Sequence, residues 1–216
     1  MVVAIAGGHG KIGLRLTTLL AERGDRVLSI IRDPAQSDHV STAGGEPVVL
    51  DLENAEPTEI ARAIADADAV VFAAGAGPGS GAGRKETVDY GAAMTMVEAA
   101  RLANATRYVI VSSMGADAEH EGEDVFDVYL RAKGRSDEEL AASGLEYTIV
   151  RPGALTDSEP TGRVEIAESV GRGEISRGDV ASVLAAVLAE PASAGLTFEL
   201  VGGGDQIELA LDRLAR

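Results

Sequence analysis

An apolar run at the N-terminus, Val2–Ala6, gives way directly to Gly7-Gly8-His9-Gly10-Lys11-Ile12-Gly13 and then to an amphipathic stretch. This strand–glycine loop–helix junction constrains the fold more than any other feature. Gly7, Gly10 and Gly13 recur at three-residue spacing. In such a junction one glycine makes a tight turn, one lets the backbone approach a pyrophosphate, and one lets the helix pack closely on the sheet. The N-terminus of the following helix then presents unpaired N–H groups and a positive dipole to the phosphates. The same spacing elsewhere would be a weak signal. After a strand and before a helix it predicts dinucleotide binding, with Gly7, Gly8, His9, Gly10, Lys11, Ile12 and Gly13 as contacts.

The rest of the chain alternates short apolar runs with amphipathic stretches, the pattern of a parallel sheet with crossover helices. Strands are predicted at 2–6, 26–31, 47–50, 69–73, 108–111, 147–150 and 197–201. Val70-Val71-Phe72 and Tyr108-Val109-Ile110-Val111 do not alternate in polarity, as expected of strands covered on both faces. Helices are predicted at 12–23, 58–65, 86–103, 126–143, 177–189 and 206–214. In 126–143 the apolar Phe126, Leu130 and Leu140 recur at helical spacing. In 177–189 Asp179 fits the first turn and Pro191 lies just past the end. The fold class is α/β, a doubly wound, mostly parallel sheet with helices on both faces. One domain spans residues 1–216, with a small substrate-binding region at about 115–126 and 152–176.

Composition removes several functions. The chain has no cysteine, so thiolate chemistry and cysteine-ligated metals are excluded. His9, His39 and His120 have no ligand spacing, and no metal site is expected. A net charge of −16 argues against nucleic acid and against a polybasic membrane anchor. No segment has the ~20 apolar residues of a membrane span. The expected protein is cytoplasmic, a monomer or homodimer, acting on a small, neutral molecule.

Arg32, at the end of the second strand, lies 19 residues past Gly13, where a carboxylate would take the ribose 2′-hydroxyl of NAD. A guanidinium there suits the 2′-phosphate of NADP. Asp33 leaves NAD open if it points inward. Asp51 and Leu52, after the third strand, are placed to line an adenine, although Asp51 equally suits a turn cap. Five glycines between 75 and 83 follow the fourth strand and form a second candidate ligand loop.

Only three lysines occur, against 16 arginines. Lys133 lies four residues after Tyr129, on the same helical face. An ammonium beside a phenol favours the phenolate and makes the group a usable general acid. Ser112 and Ser113, at the end of the fifth strand, are candidates to orient a substrate carbonyl. Against this stands the plainer possibility that Tyr129 packs on the sheet and Lys133 is solvated. The segment 117–127 carries six carboxylates. If it rims the site, it favours neutral or cationic substrates.

The ordered set Gly7-Gly8-His9-Gly10-Lys11-Ile12-Gly13, Ile31-Arg32-Asp33-Pro34, Ala73-Ala74-Gly75, Val111-Ser112-Ser113-Met114-Gly115, Arg151-Pro152-Gly153-Ala154-Leu155-Thr156 and Ile175-Ser176-Arg177-Gly178-Asp179-Val180-Ala181 resembles the atypical short-chain dehydrogenase/reductases. The nearest branch includes the biliverdin IX beta and flavin reductases and the NmrA-like sensors. The resemblance implies an NAD(P)-binding Rossmann fold. It implies that Ala73, Ala74 and Gly75 lie under the adenosine ribose, and that Ser113, with Ser112 beside it, faces the nicotinamide. Lys133 would bind the nicotinamide ribose, Tyr129 would donate the proton, and the backbone of Pro152, Gly153, Ala154 and Leu155 would close on the carboxamide. The implied activity is NADPH-dependent reduction of a small carbonyl or a quinone- or flavin-like acceptor. The alternatives are a non-catalytic NAD(P)-binding redox sensor with a protein partner, and a sugar-nucleotide epimerase or dehydratase. The chain after Arg151 is too short for a large nucleotide-sugar domain.

Overall fold

The computed structural model describes residues 1–77 and 79–215. Strands β1 (Val2–Ala6), β2 (Arg26–Ile31), β3 (Glu46–Val49), β4 (Ala69–Phe72), β5 (Arg107–Val111) and β6 (Glu146–Pro152) pair in parallel. Further along the chain come β7 (Ala154–Thr156), β8 (Arg163–Ala167), β9 (Glu174–Ser176), β10 (Leu196–Gly202) and β11 (Asp205–Gln206). Among the described residues the main sheet has nine strands, in the order β11-β8-β10-β6-β5-β4-β1-β2-β3. β10 joins in parallel, and β8 and β11 finish that edge antiparallel. β7 and β9 form a separate two-stranded ribbon. The sequence showed none of β7, β8, β9 and β11.

The strands are buried on both faces because helices cover both. On one face Val3, Ile5, Val71 and Val109 meet α1 (Lys11–Glu22), α7 (Arg177–Ala189) and α8 (Ile207–Leu214). On the other, Ala4, Ala6, Phe72 and Ile110 meet α3 (Pro57–Ala63), α5 (Ala93–Leu102) and α6 (Val125–Ala141). Two short helices, α2 (Ser37–Thr42) and α4 (Ala82–Arg84), are additional. This is the expected doubly wound fold. No helix among the described residues is long and apolar enough to cross a membrane.

One helix differs from expectation. The stretch predicted as a single helix over 86–103 is interrupted by a wide π-helical segment, Lys85–Ala92, between α4 and α5. Asp89, in that segment, is 1% exposed and takes the Ala76 amide at 3.2 Å. Its inward contacts accompany a π-helical widening, a feature frequent at functional sites.

Strand order reverses between β1 and β4, so the loops that follow them meet at one crevice, where ligands of such sheets bind. A Cβ built on Gly7, whose φ is +83°, would lie 2.8 Å from the Ala74 backbone. The two loops touch closely enough that only glycine fits.

Candidate functional site

The glycine loop is packed tightly inward and left open outward. A Cβ on Gly8 would strike the Ser29 backbone of β2 at 2.9 Å, and one on Gly13 the Gly7 carbonyl at 2.3 Å. Helix α1 begins with no side-chain cap and no acidic residue in its first turn. Its first-turn amides therefore keep their capacity for an anion. His9 Nε2 meets His39 Nδ1 on α2 at 2.8 Å with the rings stacked, tying the loop to its neighbour.

Two cavities flank this point and share the wall Ala73, Ala74, Gly75 and Ala76. The first, about 370 Å³, is lined by Gly7, His9 and Gly10, expected at the pyrophosphate, by Arg32, expected at the 2′-phosphate, by Asp51 and Leu52, expected at the adenine, and also by Glu53, Arg84 and Val88. Arg32 Nη1 lies 3.3 Å from the Glu53 carboxylate, which also takes Arg84 and the Thr87 hydroxyl. Burial raises the Glu53 pKa, but the Arg84 and Thr87 hydrogen bonds outweigh it and hold the carboxyl below its ordinary value. Two guanidiniums, Arg32 and Arg84, share the Glu53 carboxylate, with Asp51 in the same wall. Asp33 caps the Ala35 amide and does not line the cavity. Asp51 receives the Glu53 amide and the Asn54 side chain, so it is a turn cap as well as a wall residue.

The second cavity, about 300 Å³, is lined by Ile12, Lys85, Asp89, Val111, Ser112, Tyr129, Lys133 and Leu155 in addition to the shared wall. It brings Tyr129, Lys133 and Ser112 together. Lys133 is not solvated. It is 2% exposed, with Nζ 3.0 Å from the Val111 carbonyl, 3.4 Å from Asp89 and 6.0 Å from the centre of the Tyr129 ring. A buried ammonium needs such a counter-charge. Ser112 lines the wall and donates to buried Asp137 at 2.8 Å, and Arg151 braces the same Asp137 oxygen at 2.9 Å. Ser113, the other serine singled out in the sequence, bonds the Met114 carbonyl and is absent from the lining.

Lys11 stands outside both linings. Its Nζ pairs with Asp157, which Arg177 also holds at 2.9 Å, so this cluster clasps the start of α1 to the segment after β7. Hydrogen bonding from Lys11 is the main cause holding the Asp157 pKa below its ordinary value. Pro152, Gly153 and Ala154 are engaged in backbone pairing with Met114, Leu200 and Gly173, and only Leu155 of that group reaches the cavity. The acidic segment 117–127 lines neither cavity. Its Asp127 takes His120 at 3.0 Å and the Asp124 amide at the start of α6.

The residues missed from the sequence are Glu53, Arg84, Lys85, Asp89 and Asp137. The scarcity of lysine pointed to Lys85, and nothing local marked the others.

Comparison with known proteins agrees with this geometry. The profile of a family described as NAD(P)H-binding matches residues 7–191. The uncharacterised sugar epimerase YhfK of Bacillus subtilis is 37% identical, over 99% of this chain and all of that one. A solved structure from Bacillus halodurans, described as a candidate NAD-dependent epimerase/dehydratase, superposes with a TM-score of 0.92 at 34% identity, covering 99% of this chain and all of the other. The oxidoreductase ylbE of Lactococcus lactis gives a TM-score of 0.86 at 26% identity, covering 99% of this chain and 96% of the other. The glycine cradle, the uncapped helix and the family match together place this chain in the NAD(P)H-binding family, with the Rossmann fold of the atypical short-chain dehydrogenase/reductases.

Proposed function

We propose that this protein is an NADPH-dependent reductase of a small carbonyl or conjugated acceptor, quinone- or flavin-like. The observation that carries the reading is the single cleft built around the uncapped start of α1, with Arg32 and Arg84 at one end and Tyr129 at the other. The oxidoreductase description of the Lactococcus lactis relative supports it.

When bound, the cofactor supplies a hydride from the nicotinamide C4. The first-turn amides of α1 would hold its pyrophosphate. Arg32, with Arg84 beside it, would meet the 2′-phosphate that distinguishes NADP from NAD. The Tyr129 hydroxyl would give a proton to the oxygen of a carbonyl acceptor, which with the hydride supplied by the cofactor would leave as an alcohol. Lys133 keeps a positive charge near the Tyr129 ring. One of its donors is engaged by the Val111 carbonyl and its charge is balanced by Asp89, so donors remain for a ribose hydroxyl. Ser112, rather than Ser113, is the serine at the reacting end. Because its hydroxyl donates to Asp137, it has no proton left for an acceptor carbonyl, and its oxygen can only accept.

Two variants test the reading. Arg32→Ala is expected to weaken NADPH binding by about 1–3 kcal/mol and NADH binding much less. Titration of both cofactors decides this, and equal losses would remove the 2′-phosphate role. Tyr129→Phe is expected to cut turnover of a carbonyl substrate by ~10²–10⁴ while sparing cofactor affinity. Unchanged turnover would make Tyr129 structural.

A second reading, a sugar-nucleotide epimerase, is favoured by the description of the Bacillus subtilis relative. Such an enzyme recycles its dinucleotide and retains it through purification. Mass spectrometry of the protein as isolated separates the two, since stoichiometric NAD(H) would favour the epimerase.

A further inference from the structure

We propose that Lys85 is the substrate-recognition residue of the second cavity and that it selects acceptors carrying an anionic group, a carboxylate or a phosphate ester. The inference rests on the reading of that cavity as the acceptor site.

The charges around the cavity do not cancel. Asp89 and Lys133 neutralise each other, with their groups 3.4 Å apart and almost wholly buried. Asp137, behind Ser112, is matched by Arg151. That leaves the ammonium of Lys85, half-buried in a wall that is otherwise mostly Ala, Gly, Ile, Val and Leu. Among the described residues the hydrogen-bond partner of its Nζ is the Gly77 carbonyl, at 3.1 Å. An ammonium has three donors, so two remain. It also lies 5.2 Å from the centre of the Tyr129 ring, on the proton-donating side of the proposed reaction. A ring face attracts a cation but provides no full counter-charge.

The cofactor does not account for this charge. Its phosphates are provided for at the other end, by the α1 amides and by Arg32 and Arg84. The chain separates the two tasks between consecutive residues, with Arg84 in the wall of the first cavity and Lys85 in the wall of the second. The carboxylates of 117–127 line neither cavity and so do not screen Lys85 from within. An anion here would gain a charge-assisted hydrogen bond in partly desolvated surroundings, where such bonds are strong.

The test uses benzoate, phenyl phosphate and neutral benzamide as probes. Their affinities are measured by ligand-observed NMR titration on the NADP⁺-saturated protein and on the protein alone. The proteins are wild type, Lys85→Gln and Lys85→Arg. Wild type is expected to bind one of the anions at least 10-fold more tightly than benzamide, and the tighter anion identifies carboxylate or phosphate as the recognised group. Lys85→Gln should abolish that preference and Lys85→Arg should retain it. Equal binding of benzamide and both anions by wild type overturns the proposal, as does an anion preference that survives Lys85→Gln. Titration with NADP⁺ reports on the cofactor reading separately. If NADP⁺ fails to bind, that reading falls, while the drop in anion affinity from wild type to Lys85→Gln still decides the role of Lys85.

Discussion

Asp137 sits behind Ser112 at 2% exposure, and one of its two carboxylate oxygens has no hydrogen-bond partner. Burial raises its pKa, and this outweighs the opposing pull of Arg151, Ser112 and Lys133. A carboxyl whose folded value lies above the ordinary 3.8 binds its proton more readily in the folded state. Its contribution to stability is therefore greatest at low pH and is lost as pH rises from near the ordinary value through the raised one. Asp137→Asn removes that dependence. Thermal unfolding of both proteins from pH 4 to 7 should show the wild type losing stability relative to the variant as pH rises, and a flat difference would refute the shift. In the sequence Asp137-Glu138-Glu139 is an unremarkable acidic run on a helix. Its special status comes from Ser112 just after β5 and Arg151 on β6, partners no local pattern identifies. Tyr129 and Lys133 were legible because their relation is a helical spacing. The counter-charge on Lys133 was not, because Asp89 comes from a different element.

At the scale of elements, the β1–α1 junction is the most rigidly specified part of the chain. Gly13→Ala would drive a methyl into the Gly7 carbonyl, and backbone cannot step aside as a flexible side chain can. The expected loss is about 1–3 kcal/mol of stability, as for other overpacked sites, together with loss of dinucleotide binding. Gly83→Ala, in α4, meets nothing within 4 Å and serves as the control, with neutral or slightly increased stability. Chemical denaturation of the two variants beside wild type measures both effects. This junction, the six parallel strands β1–β6 and the long helices could be read from the sequence, because apolar period and glycine spacing are local signals. After Arg151, β10, α7 and α8 were legible in the same way, but β7, β8, β9 and β11 were not. Strands β7 and β9 are three residues each and exist by pairing with one another, with Gly153 packed against the Gly173 carbonyl. The π-helical segment was hidden too, since Val88, Ala92 and Met96 keep helical spacing straight through it.

For the whole molecule, the net charge of −16 acts as a distributed self-repulsion. Screening length falls from ~10 Å at 0.1 M salt to ~3 Å at 1 M, so added NaCl should relieve it. The exposed ion pairs, such as Arg26–Glu46 and Arg213–Asp205, lose strength under the same screening, but exposed pairs are individually weak. The unfolding temperature is therefore expected to rise between low salt and about 0.5 M NaCl. A fall in differential scanning calorimetry would show that the ion pairs outweigh the net repulsion. The distribution of the few lysines has a practical side as well. Lys11 belongs to the clasp beside the cleft, and Lys85 and Lys133 form part of its wall. The only other primary amine is the N-terminus, held by Asp25. Lysine-directed conjugation, whether a dye ester, aldehyde fixation or coupling to a sensor surface, would thus attach in or beside the binding cleft. A single cysteine introduced on the far side of this cysteine-free chain would give a handle that leaves the cleft open.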